Sequence, residues 1–172
     1  EYTDAMVKGK SIIYCTTNGS VAMAKSRYAR RMVVGSFVNI STVVNFMKQV
    51  NEDFLIICAG RLNGVGNFSL EDAVCAGMIV DKLEQEEGVT VELTDSSRAA
   101  RALYKSFGRS ILKMLKSTDH GMYLSEIGFE NDLPVCAAVD SVPVLPQLFG
   151  TVVRLGKDEV KNNADDVSTS TA

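Results

Sequence analysis

The sequence predicts an α/β domain, with a three-layer, mostly parallel sheet and helices on both faces. Three apolar, β-branched runs lie at 11–15, 31–35 and 54–59. Their nearly continuous apolar content is typical of strands covered on both sides. Helix-like stretches at about 21–30 and about 41–50 separate the runs. This strand–helix alternation favours a parallel sheet with right-handed crossovers.

The rest of the chain continues the alternation. Ser69 is followed three residues later by Asp72, a pattern that resembles a capping box and predicts the start of a strong helix. We expect a single α/β domain over residues 1–155 and a disordered polar tail over 156–172, where apolar residues are sparse. The other predicted elements are helices at about 95–115 and 121–127, a buried strand at 135–139 that ends at Asp140, and a last strand at 152–155.

Composition restricts the classes of partner. The formal net charge of −3 provides no general attraction to nucleic acid or to an anionic membrane, so an anionic ligand has to be held by local geometry. No apolar run approaches the roughly 20 residues that span a bilayer. The four cysteines lack metal-binding spacing, which indicates reduced, buried thiols in a cytoplasmic protein. We therefore expect no nucleic-acid partner and no membrane partner, and composition is compatible with a homodimer.

Small polar residues and glycines follow each of the first three predicted strands. The carboxyl ends of parallel strands share one edge of a sheet, which is where ligands bind in such folds. Hydroxyl, amide and backbone N–H groups there are suited to holding phosphate, sulfonate or carboxylate oxygens. Each loop alone is equally explained by turn and capping chemistry. The candidate anion-binding residues are Thr17, Asn18, Gly19, Ser20, Ser36, Asn39 and Gly60.

Two acids and one histidine are the candidates for chemistry. Glu71 and Asp72 open the predicted helix after Ser69, and oxygen ligands of this kind suit Mg²⁺. Helix capping and a favourable dipole interaction explain the same acids without a metal. His120 is the only histidine, and its usual pKa suits acid–base work near neutrality. Asp140, at the end of a predicted strand, is a further candidate ligand for a metal, like Glu71 and Asp72.

Several phosphate-handling mechanisms are excluded by spacing. No cysteine is followed by arginine six positions later, and no GxxxxGK[ST], GxSxG or strand-following GxGxxG motif occurs. No Asp-x-Asp pair follows the first predicted strand. Metal-assisted attack by water is what remains for a phosphatase.

Four blocks in register resemble the 2-phosphosulfolactate phosphatase family. They are TTNGS at 16–20, VGSFVN at 34–39, CAG at 58–60 and SLEDAVCAG at 69–77. The later DHG at 119–121, Leu124, Gly128, CA at 136–137, and Asp140 followed by VP at 142–143 fit the same pattern, so the resemblance covers roughly residues 1–146. Ser20 departs from the family's usual threonine but keeps the hydroxyl.

The resemblance implies magnesium-dependent hydrolysis of 2-phosphosulfolactate, a small anionic phosphoester, to sulfolactate and phosphate, a step toward coenzyme M. In that scheme the loop residues bind the substrate, Glu71 and Asp72 support Mg²⁺, and Asp72 and His120 are catalytic. The resemblance also implies a further upstream segment of the family fold that these residues lack. The alternative is a non-catalytic module that binds a small anion, and an α/β oxidoreductase or transferase is disfavoured because no dinucleotide fingerprint is present.

Overall fold

The computed structural model describes residues 2–61 and 68–156, so all but the first residue of the predicted tail at 156–172 lies outside the described residues. Helices dominate, and the only sheet in this part of the chain has two short strands. The helices are α1 (Asp4–Val7), α2 (Gly19–Lys25), α3 (Ile40–Val50), α4 (Leu70–Glu84), α5 (Asp95–Phe107), α6 (Ile111–Ser117), α7 (Asp119–Glu126) and α8 (Asp132–Ala137), with 3₁₀ turns at Phe37–Asn39 and Gly108–Ser110. The strands are β1 (Pro146–Phe149) and β2 (Val152–Leu155).

Helix α4 is the centre of the core. Its apolar residues pack against α3 on one side and α5 on another, and α6 and α8 close the cluster. Val74 of α4 and Ile40 of α3 are completely buried; the buried residues of α3 form one face, whereas those of α4 surround most of the helix. None of the described helices is long and apolar enough to cross a membrane.

The predicted cap of α4 is confirmed. Ser69 has extended backbone geometry, and its Oγ accepts a hydrogen bond from the Asp72 amide. Helix α3 is likewise confirmed, with Ile40–Val50 matching the predicted 41–50. Helix α4 begins where a short-range sequence signal places it, because this cap joins residues three positions apart.

The prediction of a single long helix over 95–115 is wrong in one respect, the continuity of this helix. It is divided into α5 and α6 by the 3₁₀ turn at Gly108–Ser110. Gly108 is a poor helix former, and Ser110 caps the new helix by accepting from the Lys113 amide at 3.4 Å. The apolar stripe continues through this break, which is why periodicity alone did not reveal it.

The strand predicted at 135–139 is also wrong. Residues 132–137 form helix α8, and Asp140 therefore follows a helix rather than a buried strand. Pro134 lies in the first turn of α8, where a missing N–H costs no intrahelical hydrogen bond. The helix begins at Asp132, directly after its N-cap residue Asn131.

The mixed α/β class is confirmed, whereas the three-layer parallel sheet is not seen within residues 2–61 and 68–156. The sheet there is the antiparallel pair β1 and β2, with β2 matching the predicted strand at 152–155. Of the first three predicted strands, 31–35 makes one antiparallel bridge, between Val33 and Gln147. The segments at 11–15 and 54–59 carry no assigned strand.

Asp140, which follows α8, is bonded to the start of α3. Its Oδ1 accepts from the Ser41 amide and its Oδ2 from the Ser41 hydroxyl, both at 2.6 Å. The Asp140 backbone has a φ of 58°, a conformation that aspartate and asparagine tolerate better than other non-glycine residues. Asp140 is thus a helix cap supplied from 99 residues away.

We expect Asp140→Ala to lower the free energy of unfolding by about 2 kcal/mol, since it removes two charge-assisted hydrogen bonds from a helix terminus. Asp140→Asn is the matched control. It keeps an acceptor for the Ser41 amide and tolerates the positive φ, so its loss should be less than half as large. Urea unfolding followed by circular dichroism measures both, and equal losses would contradict the capping role.

Candidate functional site

The turn at 16–20 is held by two reciprocal hydrogen bonds. The Thr16 amide donates to Ser20 Oγ at 2.8 Å, and the Ser20 amide donates to Thr16 Oγ1 at 3.0 Å. Asn18 is the N-cap residue of α2, Gly19 is its first residue, and Thr17 is exposed at the tip of the turn. The side chain of Ser20 contributes to these bonds only through its hydroxyl, which a threonine at this position would also supply.

Ser36 lies at the start of a capping box with Asn39. The Ser36 amide donates to Asn39 Oδ1 at 2.8 Å, while Asn39 Nδ2 donates to the carbonyls of Val34 and Val144 at 3.0 and 2.9 Å. Asn39 is 3% exposed, and both hydrogens of its amide nitrogen are used. Asn39 therefore holds the loop that carries the exposed Ser36, and its side chain keeps no donor for a ligand.

Asp72 ties the start of α4 to the end of the segment at 54–59. Its Oδ2 accepts a hydrogen bond of 2.8 Å from the Gly60 amide, while its own amide is capped by Ser69. Gly60 has a φ of 69°, a left-handed conformation that favours glycine. One carboxylate oxygen is thus fixed in place by the backbone, and the predicted pair Gly60 and Asp72 are in direct contact.

The beginning of α7 lies beside the same segment. Arg61 Nη1 is 3.3 Å from Asp119 Oδ2, and His120 follows Asp119 in the first turn of the helix. The His120 side chain is exposed, and its ring lies 6.3 Å from that of Tyr123. Through Asp119, Arg61 thus connects the first turn of α7, which carries His120, to the segment that ends at Gly60. Arg61 was not identified as a site residue from the sequence, although its position directly after the glycine was an available signal.

A cavity of about 680 Å³ is lined by residues of α4 and of the segments at 31–35 and 54–59. Gly19 and Asp72 are the predicted site residues that lie in its lining. The other predicted site residues are not part of the lining; they are Thr17, Asn18, Ser20, Ser36, Asn39, Gly60, Glu71 and His120. Most of the lining is apolar, and Asp72 is the only first-turn acid of α4 within it.

The residues present fit a magnesium ion that keeps water ligands. Mg²⁺ usually takes one or two protein carboxylates and completes its shell with waters and substrate phosphate. Asp72 is one such carboxylate and is oriented by the Gly60 amide, whereas Glu71, the neighbouring acid in the first turn of α4, lies outside the cavity lining. Within residues 2–61 and 68–156, no three His, Cys, Asp or Glu side chains converge on a point.

Two cysteines border the Asp72 carboxylate. Burial raises the pKa of the Cys75 thiol to about 12, and the negative charge of Asp72 adds to the rise. Burial, with Asp72, also raises the pKa of Cys58. The cysteines in the described part of the chain are free, but Cys15, Cys58 and Cys136 are exposed, so the prediction that all four are buried is wrong.

We expect Cys75 to be the slowest thiol to react with iodoacetamide at pH 8. The raised pKa keeps its thiol protonated there, and the thiolate is the reactive form. Peptide mass spectrometry after timed alkylation gives the order, with exposed Cys15 as the fast reference. In urea the alkylation rates of the four cysteines should become similar. If Cys75 is labelled as fast as Cys15 in the native protein, the thiol of Cys75 is not buried as described.

A model of one protein family matches most of the chain. The model is described as 2-phosphosulpholactate phosphatase, and the match covers residues 1–150. It therefore includes both the cavity and the first turns of α4 and α7.

Individual relatives agree with this match. A protein of Caldanaerobacter subterraneus subsp. tengcongensis, named probable 2-phosphosulfolactate phosphatase, is 35% identical over 158 residues, which are 92% of this chain and 64% of that protein. Proteins with the same name from Thermotoga maritima and Symbiobacterium thermophilum are 35% and 34% identical, over 88% and 85% of this chain. The chain spans less than two thirds of the length of these curated relatives.

Proposed function

Because the chain belongs to the 2-phosphosulfolactate phosphatase family, we propose that it forms the ligand-binding part of a phosphatase that hydrolyses 2-phosphosulfolactate to sulfolactate and phosphate. The reaction would take place in the cytoplasm, as a step toward coenzyme M. The observation that carries the proposal is the contact between two of the predicted site residues, in which the Asp72 carboxylate at the start of α4 accepts a hydrogen bond from the Gly60 amide.

Neutral donors at the loop ends would bind the anionic substrate. Thr17 and Ser36 present exposed hydroxyls, Ser20 would act by holding the turn through its bonds to Thr16, and Asn18 and Gly19 contribute polar backbone at the same turn. Asn39 would act by holding Ser36 in position, since its own amide is already bonded. Preordered donors of this kind bind charge without the cost of reorganising at the moment of reaction.

Glu71 and Asp72 would hold Mg²⁺ at the start of α4. When bound, the ion would neutralise charge on the phosphoryl oxygens and favour ionisation of the attacking water. The bond from Gly60 fixes one Asp72 oxygen and so orients the carboxylate, which is the usual task of groups around a metal ligand.

His120 would protonate the oxygen of the leaving sulfolactate. The Arg61–Asp119 ion pair supports this role, because it holds the first turn of α7 next to the Gly60 segment. The exposed position of His120 leaves its ring free to turn toward a bound phosphoester. A leaving alkoxide is strongly basic, so a positioned acid contributes typically 10²–10⁴-fold to such a step.

The test is phosphate release from 2-phosphosulfolactate, with Mg²⁺ and with EDTA. Two proteins are compared: the 172-residue chain, and an extended chain, in which the unmatched third of the Caldanaerobacter relative is joined to it in natural order. Turnover that EDTA abolishes and Mg²⁺ restores supports the proposal.

Other outcomes of the same experiment are equally informative. Turnover that persists in EDTA would remove the magnesium role from Glu71 and Asp72. Sulfolactate binding detected by calorimetry, without turnover by either protein, would indicate the anion-binding module instead of the phosphatase.

A further inference from the structure

The cavity described above lies between two segments whose sequences predict strands. Residues 31–35 and residues 54–59 all line it. Val43 and Met47 of α3, with Cys75, Ala76 and Ile79 of α4, add apolar side chains to the lining. A cavity with such walls is unusual in a folded domain, because interiors are packed to the density of organic crystals.

The segment at 31–35 is paired along only one edge. The Val34 amide donates to Pro146 O and the Leu148 amide donates to Met32 O, both at 2.9 Å, so residues 32 and 34 face β1. Alternation along a strand turns the amides of Val33 and Gly35 to the opposite edge. Within residues 2–61 and 68–156 neither of these two amides donates to another backbone group.

The segment at 54–59 has no backbone partner at all within the described ranges. Its sequence, FLIICA, is apolar throughout, which is typical of a strand covered on both faces. Yet Leu55 is 83% exposed and Ile57 is 49% exposed. Exposed apolar side chains and unpaired backbone groups on one segment indicate a surface that is covered by another polypeptide segment.

We propose that this cavity receives one β-strand, supplied by the part of the family fold that these 172 residues do not contain. The Caldanaerobacter relative has about a third of its length outside the match, enough to supply such a strand. A strand of five or six residues is roughly 17–20 Å long, and its insertion would place the segments at 31–35 and 54–59 two strand spacings apart, about 9.6 Å.

The lining defines the chemistry of this strand. Most of the lining is apolar and comes from both α2 and α4, as Met23 and Ile79 illustrate, so we expect the strand to be mainly apolar. Its backbone would bond Val33 and Gly35 on one edge and residues 54–59 on the other. Such a strand would join the segments at 31–35 and 54–59 into the larger sheet that the sequence predicts.

Hydrogen exchange at individual backbone amides tests the proposal without relying on phosphatase activity. In the extended chain we expect exchange at Val33, Gly35 and the 54–59 amides to be at least roughly 100-fold slower than in the 172-residue chain. The Val34 amide, which already bonds Pro146, should change much less. Amides of α4 report in the same spectra that the domain is folded.

Substitutions separate strand insertion from general stabilisation. Ile57→Asp places a charge in the cavity and should abolish the added protection at Val33 and Gly35. Phe129→Asp is the matched control: Phe129 is 52% exposed, against 49% for Ile57, and lies outside the lining. This control should keep the added protection.

Three results would overturn the proposal. In the first, the extended chain protects α4 while Val33, Gly35 and 54–59 exchange as fast as before. In the second, α4 is less protected in the extended chain than in the 172-residue chain, because a strand that completes the sheet must stabilise it. In the third, light scattering shows the 172-residue chain to be a dimer whose 54–59 amides are already protected, which would make a second copy the occupant.

Discussion

Gly77→Ala is expected to destabilise the domain by about 2 kcal/mol or more, although alanine is the better helix former. A Cβ at this buried position of α4 would lie 2.0 Å from the Ala100 carbonyl oxygen and 2.9 Å from Tyr104 Cβ. Both obstacles belong to α5, and a backbone carbonyl cannot move without moving its helix. Overpacking of this kind costs about 1–3 kcal/mol or more, which exceeds the gain of about 1 kcal/mol in helix propensity.

Urea unfolding followed by circular dichroism measures the effect. Gly35→Ala is the matched control, since the nearest atom to its added Cβ would be the end of the flexible Ile79 side chain, at 3.4 Å. We expect that variant to stay within about 0.5 kcal/mol of the unaltered chain. A Gly77→Ala protein as stable as Gly35→Ala would mean that α4 and α5 are not packed this closely.

Asp72→Asn is expected to lower kcat/KM for phosphate release by at least roughly 100-fold, if Asp72 supports Mg²⁺ as proposed. Asparagine keeps an oxygen that can accept from the Gly60 amide, so the local fold should persist while the negative charge is lost. The Mg²⁺ concentration at half-maximal rate should rise together with the loss in rate. Steady-state kinetics at varied Mg²⁺, on whichever of the two chains turns over, measures both quantities.

Asp95→Asn is the control for this substitution. Asp95 also lies in the first turn of a helix after a threonine cap, but that helix is α5, and Asp95 is outside the cavity lining. It therefore reproduces the loss of a carboxylate that interacts favourably with a helix terminus. If the two variants lose activity equally, or if Asp72→Asn keeps its Mg²⁺ dependence, Asp72 has only a capping role.

Features set by neighbouring residues could be predicted from the sequence. Ser69 and Asp72 predicted the start of α4, because a cap depends on residues three positions apart. The helix break at Gly108–Ser110 was missed because the apolar stripe continues through it. The helix at 132–137 was missed because an apolar run does not itself distinguish a buried strand from a short helix.

Features set by distant residues could not be predicted. The buried amide of Asn39 contacts the carbonyl of Val144, 105 residues away, and nothing in the TTNGS or VGSFVN blocks indicates that partner. Sequence reasoning therefore assigned Asn39 to the ligand, whereas its side chain supports Ser36. Strand pairing is equally non-local. The composition of 54–59 therefore predicts a strand, although this segment has no backbone partner within residues 2–61 and 68–156.

The long-range bonds of Asn39 and Asp140 determine when the loop around Ser36 becomes ordered as the chain folds. Each closes a loop of about 100 residues, from 39 to 144 and from 41 to 140. Contacts with such separation form slowly, because the entropy of closing the loop must be lost before the contacts can offset it. The α3–α4 helix pair can assemble first, whereas the Ser36 loop must wait until the last third of the chain has docked.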